Sequence, residues 1–159
     1  MNILIISATN SGSTGLVSNG IAEVLRRKKN VVTEKKARNV EEKDLAHYET
    51  IIFGSPSWDV QGTEGSPHET ILELLERLKN ISLTNNLVAV YGCGDSSYTY
   101  FCGAVDHMQT WVHAHGGREI LPPLRIDGYY FDLKKNRELV EAWAKELGQQ
   151  LKKYLLVTV

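Results

Sequence analysis

Short apolar runs of strand length alternate with amphipathic helical patterns along the whole chain. Strands are expected at Ile3–Ser7, Val31–Lys36, Thr50–Phe53, Leu87–Tyr91 and Glu119–Ile126. Helices are expected at Thr14–Arg27, at His68–Lys79, after the glycine turn that follows the fourth strand, and at Asn136–Lys153. Strands that alternate with helices pair in parallel through right-handed crossovers. The order therefore predicts an α/β fold, a doubly wound five-stranded parallel sheet with helices on both faces.

The same pattern indicates where a ligand would bind. In a doubly wound sheet the binding site lies beyond the carboxyl ends of the strands, near the point where strand order reverses. The loops after the first, third and fourth strands are therefore the candidates. We expect residues 1–159 to form a single domain, because no linker, repeat or low-complexity tract divides the chain. Pro122-Pro123 falls within the fifth strand and is expected at an edge or bulge.

Composition excludes several classes of partner. The net charge of −1 gives no field that would attract nucleic acid. No apolar stretch approaches the ~20 residues that span a bilayer, and no signal peptide is recognisable, so we expect a cytoplasmic protein without membrane contact. Cys93 and Cys102 are too far apart for a C-x-x-C motif and are expected to be reduced thiols. The five histidines form no converging set, so no metal site is expected.

The loop after the fourth strand carries the most specific pattern. Residues Tyr91–Asp106 read Y-G-C-G-D-S-S-Y-T-Y-F-C-G-A-V-D. A strand end that turns on glycines exposes backbone N–H groups, and the aromatic cluster beside it offers a flat surface. This combination suits a flat, electron-rich heterocycle, and we expect Cys93 to contribute a small side chain rather than a nucleophile. The candidate binding residues here are Cys93, Gly94, Asp95, Tyr98, Phe101 and Cys102.

The loop after the first strand is rich in hydroxyl groups and contains no lysine or arginine. Helix N-termini expose unpaired N–H groups and bind phosphate, although a serine or threonine there can also simply cap the helix. The residues exclude a Walker loop, because Ser13 stands where the lysine should be, and they supply no G-x-G-x-x-G fingerprint. A low-molecular-weight phosphotyrosine phosphatase loop would need a nucleophilic cysteine and a following arginine, and this loop contains neither. The candidates are Thr9, Asn10, Ser11, Gly12, Ser13 and Thr14.

The loop after the third strand begins a long polar segment, Gly54–Pro67. Trp58 is unusual in such a segment, because tryptophan is generally buried. It is either a loop anchor packed on the core or a stacking platform for a ligand. The candidate binding residues here are Ser55, Pro56, Ser57, Trp58 and Asp59.

Together these three segments resemble the flavodoxins. Tyr91–Asp106 resembles their second isoalloxazine-binding loop. Thr9–Thr14 resembles their phosphate loop, S/T-x-T-G-x-T, and matches it at Thr9, Ser11, Gly12 and Thr14. Gly54–Asp59 resembles the loop whose aromatic residue covers one face of the flavin ring, with Asp59 where glycine is common. The fifth strand lacks the insertion of the long-chain class, which indicates the short-chain type.

The resemblance implies a low-potential one-electron carrier that binds FMN non-covalently, with Trp58 and Tyr98 on the two faces of the ring. No side-chain acid, base or nucleophile is required, so the protein is expected to be an electron-transfer protein and not an enzyme. Its implied partners are flavin- or iron–sulfur-containing reductases and oxidoreductases, met as a monomer in transient complexes.

Two other functions remain open at this point. An FMN-dependent NAD(P)H or quinone reductase could use the same fold, but it would need space over the ring that Trp58 and Tyr98 would fill. A flavin-free interaction domain is the third possibility. The near-neutral charge also departs from the acidic flavodoxins, so partner steering is expected to be weaker or to be confined to a local acidic patch. That patch comprises Asp59, Glu64, Asp95, Asp106 and Asp127.

Overall fold

The computed structural model describes residues 1–8 and 12–158 and consists of one mainly parallel sheet with helices on both faces. The strands are β1 (Asn2–Ser7), β2 (Val31–Lys36), β3 (Thr50–Val60), β4 (Thr63–Pro67), β5 (Leu87–Gly94), β6 (Arg118–Glu119) and β7 (Leu124–Asp127). The helices are α1 (Ser13–Arg27), α2 (Glu42–Leu45), α3 (Glu69–Arg77), α4 (Gly103–Ala114) and α5 (Leu133–Thr158). The strand order is β2-β1-β3-β5-β6, with β7 also paired to β5. The predicted fold class is confirmed.

The central strands are buried on both faces because their side chains are almost continuously apolar. Along β1, Ile3 and Ile5 belong to one core cluster, whereas Leu4 and Ile6 belong to the other. The first cluster is completed by α1 and α5, and the second by α3 and α4. Each face of the sheet is therefore covered by a pair of helices.

The third strand is longer than predicted, and the segment after it is not a simple polar loop. β3 continues to Val60 and pairs in antiparallel fashion with β4, so that Trp58 lies opposite Ser66. Gln61 and Gly62 connect the two strands with φ angles of 53° and 81°. Two positive φ angles match the right-handed twist of a tight hairpin. The hairpin carries Trp58 beyond the parallel part of the sheet.

The fifth strand was predicted as continuous, and the structure divides it in two. β6 pairs with the start of β5, where Leu87 lies opposite Arg118. β7 pairs with the end of β5, where Tyr91 lies opposite Leu124. Pro122-Pro123 lies between them, because proline has no N–H to donate to the ladder. The two short strands share the fifth position of the sheet.

One tight contact connects the end of the sheet to the first helix. Tyr91 on β5 is fully buried, and its ring lies so close to Gly54 on β3 that a Cβ at position 54 would overlap it. The Tyr91 phenol donates a hydrogen bond to the carbonyl of Thr14 at 3.2 Å. Burial raises the pKa of this phenol, so it stays protonated and remains a donor.

We predict that Gly54→Ala destabilises the protein by about 1–3 kcal/mol, because a buried methyl group must displace the Tyr91 ring. Equilibrium denaturation in urea measures the change. Gly15→Ala is the matched control, since the space around position 15 is open and alanine favours a helix. If Gly54→Ala and Gly15→Ala are equally stable, the contact between Gly54 and Tyr91 does not constrain the fold.

Candidate functional site

The carboxyl ends of β3 and β5 form the walls of an open cavity of about 290 Å³. The structure thereby brings together the two loops that the sequence singled out separately, as expected for parallel strands that end at one edge. The lining residues are Ser57, Trp58, Asp59, Glu64, Gly65, Asp95, Tyr98, Tyr100 and Cys102.

Large aromatic surfaces are exposed at this cavity. Trp58 is 44% exposed, Tyr98 59% and Tyr100 63%. Trp58 is oriented from one side by the buried His68, whose ring meets it edge-on at 5.9 Å. A loop anchor would be buried, so the exposure of Trp58 favours the stacking platform of the two sequence interpretations.

The β3–β4 hairpin is attached to the loop after β5 by contacts that sequence reasoning missed. Glu64 Oε1 accepts a hydrogen bond from the Thr99 N–H at 2.9 Å. Gly65 and Gly103 approach so closely that a Cβ on Gly103 would lie 2.7 Å from the Gly65 carbonyl oxygen. Glu64, Gly65 and Tyr100 therefore belong to the site. The sequence had placed Glu64 in an acidic patch and Tyr100 in the Tyr91–Asp106 segment, but it did not show that either residue lines the cavity.

The loop after β5 is held by two carboxylates. Asp127 accepts hydrogen bonds from the Ser96 N–H at 2.8 Å and from the Ser96 hydroxyl at 2.6 Å. Asp95 accepts from the Ser97 N–H at 2.8 Å. Hydrogen bonds from the hydroxyl and the backbone N–H of Ser97 hold the pKa of the Asp95 carboxyl below its ordinary value. Asp95 is therefore an anion at neutral pH.

Both cysteines lie beneath the site as buried thiols. Burial raises the pKa of Cys93 to about 11, although the nearby Thr14 and Ser13 hydroxyls partly offset this. Burial likewise raises the pKa of Cys102 to about 12. Both groups are protonated at neutral pH and are poor nucleophiles. This agrees with the expectation that Cys93 contributes size rather than reactivity.

Several other predicted residues hold the loops in place. Ser55 is buried and accepts from the His68 N–H at 3.0 Å while donating to the Pro56 carbonyl at 2.8 Å. Pro56 is also buried. The Ser57 hydroxyl accepts from the Ala104 N–H at 3.0 Å, in the first turn of α4.

Gly94 and Phe101, which were also predicted to bind the ligand, are engaged in contacts within the protein. Gly94 accepts a hydrogen bond from the Gly128 N–H at 2.9 Å through its carbonyl. Phe101 is partly buried and packs against the core beneath α4. Its contact with a ligand stays a prediction.

A second part of the site lies at the start of α1. Thr9, Asn10 and Ser11 fall outside the described residues. Gly12 is the N-cap, with φ of 76°, so neither Ser13 nor Thr14 occupies the capping position. Thr14 is 1% exposed, and its hydroxyl has no hydrogen-bond partner of ordinary geometry within the described chain. The nearby Cys93 thiol is a weak partner. A buried unpaired hydroxyl beside a helix N-terminus suits an anionic ligand such as a phosphate.

Other features of the described residues do not suggest a different site. A groove of about 340 Å³ between α1 and α5 is larger, but its described lining contains a single aromatic residue, Tyr129. No cluster of three or more potential metal ligands occurs within residues 1–8 and 12–158. Over the same ranges, none of the helices has the length and apolar character needed to cross a membrane.

Comparison with known proteins agrees with this geometry. The flavodoxin family model matches residues 5–143. The flavodoxin of Maridesulfovibrio salexigens is 30% identical over 149 residues, covering 93% of this chain and 97% of that relative. The oxidised flavodoxin 2 of Bacillus cereus superposes with a TM-score of 0.84 at 26% identity, over 96% of this chain and 99% of that one.

A third relative has the same fold at lower identity. The flavodoxin of Fusobacterium nucleatum, solved bound to flavin mononucleotide, superposes with a TM-score of 0.80 at 19% identity, over 94% of this chain and 98% of that one. The family model covers most of the chain. The chain belongs to the flavodoxin family.

Proposed function

We propose that this flavodoxin binds one FMN non-covalently, with the ring in the aromatic cavity and the phosphate at the N-terminus of α1. It then carries single electrons between redox enzymes at low potential. The observation that carries the proposal is the exposure of Trp58 and Tyr98 in one cavity, on the same sheet edge as the unpaired Thr14 hydroxyl. When bound, FMN supplies the redox chemistry, and the protein supplies binding, orientation and electrostatics.

The aromatic residues determine what can approach the ring. Trp58 comes from the β3–β4 hairpin and Tyr98 from the loop after β5, so two separate elements supply the stacking surfaces. Stacking on both faces excludes water and leaves little space for a nicotinamide or quinone to stack on the ring. This favours electron transfer at the ring edge over the reductase alternative.

The charges around the cavity would lower the reduction potential of a bound flavin. Its described lining contains three carboxylates, Asp59, Glu64 and Asp95, and neither lysine nor arginine. Like charges repel most strongly where the dielectric constant is low. A negative lining therefore disfavours the addition of electrons to the ring. Backbone N–H groups around Gly94 and Asp95 are proposed to hydrogen-bond its polar edge.

The acidic patch that would meet partners is smaller than the sequence suggested. Asp106 is paired with Arg125 at 2.7 Å, which neutralises its charge. The remaining carboxylates are Asp59, Glu64, Asp95 and Asp127. We propose that these four steer transient complexes with flavin- or iron–sulfur-containing reductases and oxidoreductases.

We further propose that residues 1–159 act as a one-domain monomer in the cytoplasm. The two helix pairs and the central sheet form one continuous structure, which supports a single domain. Two free, buried cysteines fit a reducing compartment.

We predict that FMN quenches the fluorescence of the apoprotein strongly and that Tyr98→Ala weakens FMN binding. Aromatic stacking contributes about 0.5–1.5 kcal/mol beyond burial, so Kd should rise by roughly 2- to 12-fold from stacking alone. Fluorescence titration measures both effects. Leu156→Ala is the control, because Leu156 is 72% exposed near the end of α5 and does not line the cavity. An unchanged Kd in Tyr98→Ala would show that Tyr98 does not cover the ring.

We predict that Asp59→Asn raises the first reduction potential by some tens of millivolts. A nearby unit charge contributes on the order of 1 kcal/mol across a partly exposed site, and a tenfold change in equilibrium constant is about 59 mV for one electron. Asparagine keeps the Oδ1 atom that accepts from the Gly62 N–H at 2.8 Å, so the hairpin turn is retained. Potentiometric titration measures the shift.

Glu42→Gln is the control for Asp59→Asn, since Glu42 is exposed on α2, outside the cavity lining. Its potential should match that of the unmodified protein. If Glu42→Gln and Asp59→Asn shift the potential equally, net charge rather than the local charge of the cavity is responsible.

A further inference from the structure

We propose that Tyr130, on the loop between β7 and α5, is an additional residue of the phosphate site and donates a hydrogen bond from its phenol to the FMN phosphate. The proposal rests on the proposed function, because it assumes that FMN binds with its phosphate at α1. Tyr130 lies outside the three segments that resemble the flavodoxin loops.

The position of the phenol is the first observation. A Cβ on Gly12 would lie 3.1 Å from the Tyr130 hydroxyl oxygen. Gly12 is the N-cap of α1, with φ of 76°, so the phenol lies beside the first turn, where helical N–H groups lack intrahelical partners. Tyr130 therefore approaches the phosphate site from a part of the chain more than a hundred residues away.

The loop that carries Tyr130 is firmly held. The Asn136 side chain is 3% exposed and donates toward the carbonyls of Asp127, Gly128 and Tyr129 at 3.3, 3.3 and 3.1 Å. The buried Tyr129 ring meets the Tyr130 ring edge-on at 5.4 Å. The backbone that precedes Tyr130 is therefore held in place, and the Tyr130 side chain itself is 57% exposed at the surface.

The same loop also contacts the ring side of the site. Asp127 accepts from Ser96, and the Gly128 N–H donates to the Gly94 carbonyl at 2.9 Å. One short segment thus joins the loop after β5, which lies at the aromatic cavity, to the start of α1. This connection fixes the spacing between the ring site and the phosphate site.

The chemistry of the phosphate site explains why a phenol is suitable. The loop after β1 contains no lysine or arginine, so the donors that this loop can offer to the phosphate are neutral. The buried Thr14 hydroxyl, unpaired within the described chain, is one such donor, and the Tyr130 phenol reaches the same helix end from outside. Neutral donors bind the anion without adding positive charge, which preserves the negative surroundings that keep the potential low.

The test compares FMN with riboflavin, which lacks the phosphate. Kd values for both flavins are measured by fluorescence titration with the unmodified apoprotein, Tyr130→Phe and Tyr48→Phe. Tyr48 precedes β3, at the opposite edge of the sheet, and is the matched control for loss of a hydroxyl. We expect Tyr130→Phe to raise the Kd for FMN about tenfold or more, as for the loss of a hydrogen bond to a charged group. Its Kd for riboflavin should stay within about twofold, and Tyr48→Phe should change neither.

Two results would overturn the proposed role of Tyr130 and leave the proposed phosphate site intact. An unchanged Kd for FMN would show that the phenol does not reach the phosphate. Equal weakening of FMN and riboflavin would show that Tyr130 supports the loop instead. If the unmodified protein itself binds FMN no more tightly than riboflavin, the proposed phosphate site is wrong, and the proposal for Tyr130 fails with it.

Discussion

The common carboxyl edge of β1, β3 and β5 is the constraint on which the site depends. Ser7 lies opposite Gly54, and Gly54 opposite Tyr91, so the three strands reach this edge in register. The absence of a side chain at Gly54 lets the Tyr91 ring pack across β3, and the phenol then bonds the first turn of α1. The core therefore determines the relative positions of the loops that would bind the cofactor.

The electrostatic design of the site differs between its two ends. At the start of α1 the groups are hydroxyls and backbone N–H groups, without a cation in the loop sequence. In the described lining of the aromatic cavity the charged groups are carboxylates, and hydrogen bonds from Ser97 lower the pKa of the Asp95 carboxyl below its ordinary value. In the proposed mode of binding, neutral donors at the phosphate and carboxylates near the ring act together, because neither would stabilise the negative charge of an added electron.

Much of this could be predicted from the sequence, and what was missed has physical reasons. The central strands were clear because both of their faces are apolar, and the Tyr91–Asp106 segment showed its glycines and aromatic residues in one stretch. The β3–β4 hairpin was read as a loop because its residues are polar and its pairing depends on the turn at Gln61-Gly62. The sequence predicted that Pro122-Pro123 would lie at an edge or bulge of a single fifth strand. The prolines instead separate two short strands, β6 and β7.

Tyr130 illustrates a different limit. Its place beside Gly12 arises from sheet order and from the hydrogen bonds of Asn136, which no local pattern reveals. Contacts between segments distant in sequence become visible only in the folded chain. The same holds for Glu64, which accepts a hydrogen bond from the Thr99 N–H, 35 residues further along the chain.

The central claim is that this chain holds FMN and passes single electrons. Stepwise reduction of the purified, FMN-reconstituted protein, followed by its visible absorption spectrum and potential, tests that claim most directly. The account predicts a flavin spectrum that stays with the protein through gel filtration and reduction in two separate one-electron steps, the second at low potential. Loss of the flavin on gel filtration, or a single two-electron step, would contradict it.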